Sequence, residues 1–541
     1  MAGREVVPRA GGVRAPSGPA WIAAGLLLAL TAAGLSAALR ATGGTLVLPL
    51  DDSYIHLAMA RTLVEHGIWG VQAGMFGSAS SSPLWVLVLA GVGALAGWGA
   101  AVPLALDALG VVALVWVVDR ALGAAEGRAG RRTAVLVAIG VLSGVPAVAF
   151  TGSEHVWHAA AFLALLWTAL RALEPDGEAV SPAALGLLAA LATGLRFETL
   201  FAVAALAALA LARRAWRVGA VLVAGAATPV AVHALVALPR GGGWLPNPLL
   251  VKGVRPDLST WPAALLTFER VPRILARPEA WHLAALLLAL VLLALPVGAA
   301  ETARGRLERR LCAIVAVSVV LHVQLAALGS FYRYEMYLLV AGWTAIAARL
   351  TGGAAATAPG RARLRRAATA VALTGLTALA ALRGGDALRN LPRASRNVWE
   401  QQMQTARFVR WRGSPHAVAV HDLGAVSLLG ATSVVDLVGL ADDEVAHSLA
   451  RGRPGGRALA ELLARRDADL LVAYEEWLGR WGGAPTGWTA VERWEIRDNL
   501  VCAGPVVTFF APPGGADALR RDLDAFAPRL PVGVARHRIG T

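Results

Sequence analysis

The chain has 541 residues, of which 57% are hydrophobic and 16% charged, and its mean hydropathy is +0.58. Repeated apolar runs of roughly 20 residues exclude an ordinary soluble globule and mark a polytopic membrane protein. The net charge of +14, from 50 basic and 36 acidic residues, reads as positive cytoplasmic loops rather than a nucleic-acid-binding face.

In chain order, the basic flank up to Arg14 is followed by an apolar span at about 21–39 that lacks a small-residue cleavage site, which reads as an uncleaved anchor. Arg4, Arg9 and Arg14 place the N-terminus in the cytoplasm, so Asp51 and Asp52 emerge on the outer face. Residues 54–65 carry apolar side chains at helical spacing, as an amphipathic helix at a membrane surface would. The Gly/Ser-rich run from Gly74 to Pro83 follows, a turn segment expected to gate whatever lies beside it.

The apolar run at 84–98 is short for a crossing and is kept on the outer side as an interfacial or re-entrant segment. The later spans then fall at about 103–119, 133–150, 155–171, 181–196, 199–212, 217–238, 281–299, 311–328, 332–349 and 367–382. With the first, this makes about eleven. The arginine groups Arg128/Arg131/Arg132, Arg213/Arg214/Arg217, Arg304/Arg306/Arg309/Arg310 and Arg361/Arg363/Arg365/Arg366 then all lie inside.

The expected division is a cytoplasmic tail (1–20), a transmembrane domain (21–383, first outer loop 41–102) and an outer α/β domain (384–541). Within the last, 417–420 and 470–474 read as buried strands between helices at 398–412 and 456–465. The fold class expected is mainly α, a transmembrane helix bundle with a C-terminal α/β domain. Cys312 and Cys502 lie in a span and in the tail, so no disulfide framework is expected.

The chemistry-bearing residues gather on the outer side. Two adjacent carboxylates at a membrane lip must be solvated, paired or used. Asp51 or Asp52 suits a general base on a hydroxyl, or caps the helix that follows. His56 follows on the same stretch. Glu154, in Thr151-Gly152-Ser153-Glu154-His155, and the pair Arg196/Glu198 sit where spans meet the outer surface. Each is either a structural clamp or a cavity group. Lys252, the only lysine in the chain, follows the rigid Pro246-Asn247-Pro248 turn and suits a phosphate-binding point charge. Arg333 and Tyr334, in Phe331-Tyr332-Arg333-Tyr334-Glu335, offer a cation among interfacial aromatics.

This set resembles the GT-C superfamily of integral membrane glycosyltransferases, closest to a bacterial branch of arabinofuranosyl-, mannosyl- and aminoarabinosyltransferases. The matching elements are Asp51-Asp52-Ser53-Tyr54-Ile55, Ser82-Pro83-Leu84-Trp85, Gly152-Ser153-Glu154, Arg196-Phe197-Glu198, Pro246-Asn247 to Lys252, and Arg333-Tyr334. The resemblance covers roughly residues 20–385, and more loosely the tail at Val420-His421-Asp422-Leu423-Gly424-Ala425. It departs at Phe197, where the family has Pro, and at Ser153 and His155, where Met and Thr are commoner.

The resemblance implies transfer of a sugar from a polyprenyl-phosphate donor to an outer glycan, lipid or protein acceptor, with a first-loop Asp as base. Glu154, Arg196, Glu198, Lys252, Arg333 and Tyr334, which lie in the matching elements, and His56 beside the Asp pair are expected to be substrate-binding, in a bacterial-type plasma membrane. No cofactor is assigned, and a divalent cation shared by the Asp pair and Glu154 is left open. No nucleotide motif is present. The alternative is a transporter or flippase of lipid-linked sugars, which predicts a repeat between halves and broken helices at mid-membrane. No convincing repeat is seen. A membrane-anchored binding protein needs fewer spans.

Overall fold

The computed structural model describes residues 15–123, 129–174, 180–252, 269–296, 302–351, 359–430 and 433–540. A helical bundle carries a six-stranded sheet domain at one end, as the sequence leads one to expect. Three of the bundle helices begin at a side-chain cap. Ser17 accepts from the amide of Ala20 ahead of Gly18–Ala41, Ser181 from Ala184 ahead of Pro182–Leu195, and Thr302 from Gly305 ahead of Ala303–Leu325. Helices Pro182–Leu195 and Trp216–Ala237 cross closely because Gly225 faces Gly186; a Cβ there would lie 2.3 Å from the Gly186 carbonyl oxygen.

Among the described residues, four helices are long and apolar enough to cross a membrane alone: Gly18–Ala41, Ala101–Leu122, Trp216–Arg240 and Leu364–Arg412. The sequence expects about eleven crossings. The difference is one of length. Pro182–Leu195 and Thr199–Ala212 have 14 residues each, about 21 Å of helix against about 30 Å of hydrocarbon. The expected span at 133–150 is broken at Ser143-Gly144 into Ala129–Leu142 and Val145–Ala149, with Gly144 left-handed (φ 76°). Pro83–Ala96 is the short apolar helix expected of the 84–98 run.

The helix Asp51–His66 does not lie on an open membrane surface. Nine of its sixteen residues are buried, including Tyr54, Ile55, Leu57, Ala58 and Met59. They share one apolar cluster with Val420, Leu423, Val426, Phe408, Trp494 and Phe509 of the sheet domain. The sheet domain is therefore packed on the bundle through a common core, with this helix as the filling.

The strands are β1 (Ala417–Val420), β2 (Val434–Asp436), β3 (Ala468–Ala473), β4 (Thr489–Ile496), β5 (Val506–Ala511) and β6 (Val534–Arg538), in spatial order β2-β1-β3-β5-β4-β6. β1 runs parallel to β2 and β3, with Val418 opposite Val434 and Leu470, and the remaining pairings are antiparallel. Alternation along β1 sends Val418 and Val420 toward the bundle-side core. Ala417 and Ala419 face a second cluster with Leu459, Leu462 and Leu463 of helix Gly456–Arg465. A 42-residue helix, Pro359–Glu400, runs from the bundle into the sheet domain without interruption.

Candidate active site

At the bundle end facing the sheet domain lies a cavity of about 350 Å³. Most of the charged residues singled out by sequence meet there: Asp52, His56, Glu154, Arg196, Glu198, Arg333 and Tyr334. Four separate connections deliver them. Asp52 and His56 stand one turn apart on helix Asp51–His66. Glu154 immediately precedes His155–Ala172, Arg196 and Glu198 link the two 14-residue helices, and Arg333 precedes Met336–Thr351. Ser53 ties the first two connections together, donating to the Thr151 carbonyl at 2.6 Å and lying 3.0 Å from the Ser153 hydroxyl.

Arg196 is the electrostatic centre. Its guanidinium donates to Glu154 Oε1 at 2.8 Å and grips Glu198 with both Nε (3.1 Å) and Nη2. Such a fork is stronger than a point-charge contact. Burial alone would raise the Glu198 carboxyl, but Arg196 overrides it and holds the group at about 2. Arg333 pairs with Asp52 and donates to Ser330 Oγ at 3.0 Å. The Tyr334 ring lies 5.3 Å from the Arg196 guanidinium and 5.0 Å from that of Arg333, separating the two cations.

Three buried polar atoms in this wall have no hydrogen-bond partner among the described residues: Arg333 Nε, Glu154 Oε2 and His56 Nδ1. The last two are 3.7 Å apart. Burial pushes the His56 imidazole below its usual range, so it is neutral near pH 7 despite Glu154. All three atoms are buried, so they are unmet polar groups within the wall rather than contacts presented to the cavity.

The rest of the lining is largely apolar: Phe197, Leu200, Phe201, Leu245, Leu249 and Leu325, with Leu440 from the sheet domain. Of these, the sequence singles out Phe197 within Arg196-Phe197-Glu198 but not the others as cavity residues. The aromatics flanking Arg196-Phe197-Glu198 and the leucines around Pro248 were a usable signal, whereas nothing local marks Leu440. Lys252 ends the short helix Asn247–Lys252, whose Pro248, Leu249 and Leu250 line the cavity. Its side chain lies outside the described residues. The Gly74–Pro83 segment is a wall rather than a free flap. Gly77 donates to Trp69, the Ser78 carbonyl accepts from Asn247 at 3.1 Å, and the Ser82 hydroxyl donates to Leu195. With these groups satisfied and Ser78 to Ser80 buried, the segment is packed in place.

The two adjacent aspartates are used differently. Asp51 turns away from the cavity and accepts from the amides of Gly424 (2.7 Å) and Ala425 (2.9 Å), capping helix Gly424–Leu429 of the sheet domain. No side chain caps its own helix. A Cβ on Gly424 would lie 2.3 Å from the Asp51 carbonyl oxygen, so the approach needs glycine. Burial and the facing Asp422, itself bonded by Tyr474 and Gln402, push the Asp51 carboxyl up to about 8. Between about pH 4 and 8 the folded protein thus retains a proton that the unfolded chain releases, and stability falls as pH rises through that window. The melting temperature of the wild type is expected to decline more steeply from about pH 5 to 8 than that of Asp51→Asn. Equal slopes would contradict this assignment.

Among the described residues no three His, Cys, Asp or Glu side chains are grouped to hold a metal ion. The cavity carboxylates face guanidinium groups instead, Asp52 to Arg333 and both Glu154 and Glu198 to Arg196. The residues present do not fit a shared cation.

Arg333 leaves an unusual backbone. Gly329, Ser330, Phe331 and Tyr332 are all left-handed, with φ of 78°, 45°, 57° and 64°. For the three non-glycine residues this costs about 1–2 kcal/mol each.

Comparison with known proteins fits this architecture. Residues 396–510 match a family described as a domain of unknown function, DUF8728. No curated protein sequence matches. Among solved structures, ArnT from Cupriavidus metallidurans bound to undecaprenyl phosphate aligns over 92% of this chain and 99% of its own, with 12% identity and a TM-score of 0.50. Mycobacterial arabinofuranosyltransferase AftD aligns over 92% of this chain at 17% identity and a TM-score of 0.42; the chain spans 42% of its length. The Archaeoglobus fulgidus oligosaccharyltransferase aligns over 90% and 74%, at 13% and 0.47. The chain is a membrane protein that shares its fold with ArnT, which it matches nearly end to end.

Proposed function

We propose that the protein is a membrane glycosyltransferase that moves a sugar from a polyprenyl-phosphate donor to an acceptor hydroxyl, with Asp52 as general base. One observation carries the reading: carboxylates, the guanidinium of Arg333 and a set of apolar side chains line the same cavity, with Asp52 paired to Arg333. That is the polarity of a lipid phosphate with its tail. In this reading the lipid phosphate lies against the Arg333 guanidinium, Lys252 adds a second positive charge, and the first isoprene units lie along Leu245, Leu249 and Leu325. ArnT, the end-to-end structural partner, binds undecaprenyl phosphate.

The chemistry is a substitution at the anomeric carbon. Asp52 removes the acceptor proton as the new C–O bond forms, and the bond to phosphate breaks with its electron pair passing to the lipid phosphate. Arg333, released from Asp52, stabilises that leaving charge. Glu154, His56 and Arg196 border the space left for the sugar and supply acceptors and donors for its hydroxyls. The cavity would lie at the extracytoplasmic face, with the N-terminus inside, the sheet domain outside and an outer glycan, lipid or protein as acceptor.

The test is reconstitution in vesicles with radiolabelled polyprenyl-phosphate sugars. Label recovered in a new glycosidic product supports the reading. Label that crosses the bilayer while still on its lipid, with no product, identifies a flippase.

A further inference from the structure

The strained turn before Arg333 is held by residues that never reach the cavity. Arg383, on the long linking helix, donates from Nη2 to the Tyr332 carbonyl at 2.5 Å and to Glu335 Oε1 at 2.7 Å. The second Glu335 oxygen accepts from the Gly329 amide at 3.0 Å, closing the turn from its other end. Asn390, two turns along the same helix, donates to the Tyr332 hydroxyl at 3.4 Å. The Arg383 guanidinium stacks 5.2 Å from the Tyr332 ring, and His282 lies 3.5 Å from Glu335. Arg383 and Glu335 are 8% and 2% exposed, and neither lines the cavity.

Consecutive left-handed residues persist only where surroundings over-determine them, and such strain gathers where a side chain must be delivered to a fixed point. Phe331 and Tyr332 have no local preference for this conformation. The turn's product is the placement of Arg333. Its guanidinium meets Asp52 across 281 residues of sequence and rests on Ser330 Oγ, from within the turn itself.

We infer that Arg383 and Glu335 are positioning residues: by clamping the left-handed turn they set Arg333 at the point where it meets the donor phosphate. The inference rests on the lipid-phosphate reading above and adds the device that aims its cation. It also links the cavity to the sheet domain, because the helix carrying Arg383 and Asn390 continues into that domain.

The test is a double-mutant cycle on the full-length protein in detergent, read as binding of undecaprenyl phosphate, with melting temperature measured in parallel. Arg383→Lys keeps the charge beside Glu335 but cannot bridge to the Tyr332 carbonyl in the same way. It is expected to weaken binding about tenfold to a hundredfold, the scale of one charge-assisted hydrogen bond to the phosphate lost. Arg333→Gln is expected to do at least as much. Adding Arg383→Lys to Arg333→Gln should cost nothing further, because one acts through the other. Ser330→Gly, which removes the hydroxyl that Arg333 rests on, should weaken binding without lowering the melting temperature.

Independent losses that multiply in the double variant, or normal binding by Arg383→Lys and Ser330→Gly, would overturn the inference while leaving the donor reading intact. A wild type that does not bind undecaprenyl phosphate would overturn the donor reading, and the inference with it.

Discussion

Asp52→Asn is expected to lower the rate of sugar transfer by about 10²–10⁴-fold, the contribution of a positioned general base. The amide keeps the size and one oxygen of the carboxylate but cannot accept the acceptor's proton. It also gives up the ion pair with Arg333, leaving that guanidinium unopposed. Affinity for the lipid phosphate should therefore hold or rise while turnover collapses. A purely structural role for Asp52 would give the reverse, with a variant that unfolds or loses affinity and keeps its residual rate. Steady-state kinetics, with undecaprenyl phosphate as a competing ligand, separate the two. A drop in kcat without a drop in affinity is the expected result.

The largest effect on stability is expected from Arg196→Met. Methionine is close in volume and apolar, so the loss would come from charge rather than packing. Glu154 is 1% exposed and Glu198 7%, and both rely on Arg196 for their counter-charge. Breaking a buried pair by removing one partner costs about 3–5 kcal/mol, because the remaining charge stays buried and unpaired. Here two carboxylates are left. The protein should melt well below the wild type in detergent, or fail to accumulate as a monodisperse species. Adding Glu198→Gln should recover part of the loss, since a neutral amide tolerates burial better than an orphaned carboxylate. Melting temperatures of the single and double variants check this, and a double variant no better than the single would contradict it.

The charged constellation was legible because ionisable groups at the ends of apolar runs stand out against their surroundings. Asp52, Glu154, Arg196, Glu198 and Arg333 come from connections far apart in the chain, yet each was marked by the same local contrast. Which of the two aspartates faces the cavity was not legible. Adjacent helical residues point about 100° apart, and the partner that claims Asp51 is Gly424, 373 residues away. The left-handed turn at Ser330 to Tyr332 was equally hidden, since its cause is Arg383 and Glu335 rather than any preference of its own residues. The apolar stripe at 54–65 predicts an amphipathic helix at a membrane surface, yet the sheet domain covers it, because an apolar stripe does not say whether lipid or another domain will do so. The Gly74–Pro83 run has the composition of a free loop and the contacts of a wall, and only its neighbours Asn247 and Leu195 distinguish the two.

The central claim is that the two adjacent aspartates divide labour, Asp52 for chemistry and Asp51 for docking of the sheet domain. Its most direct test is the transfer assay on Asp51→Asn and Asp52→Asn side by side, at matched amounts of folded protein. Transfer retained by Asp51→Asn and lost by Asp52→Asn is the expected result. Transfer lost by Asp51→Asn alone, or retained by both variants, would contradict it.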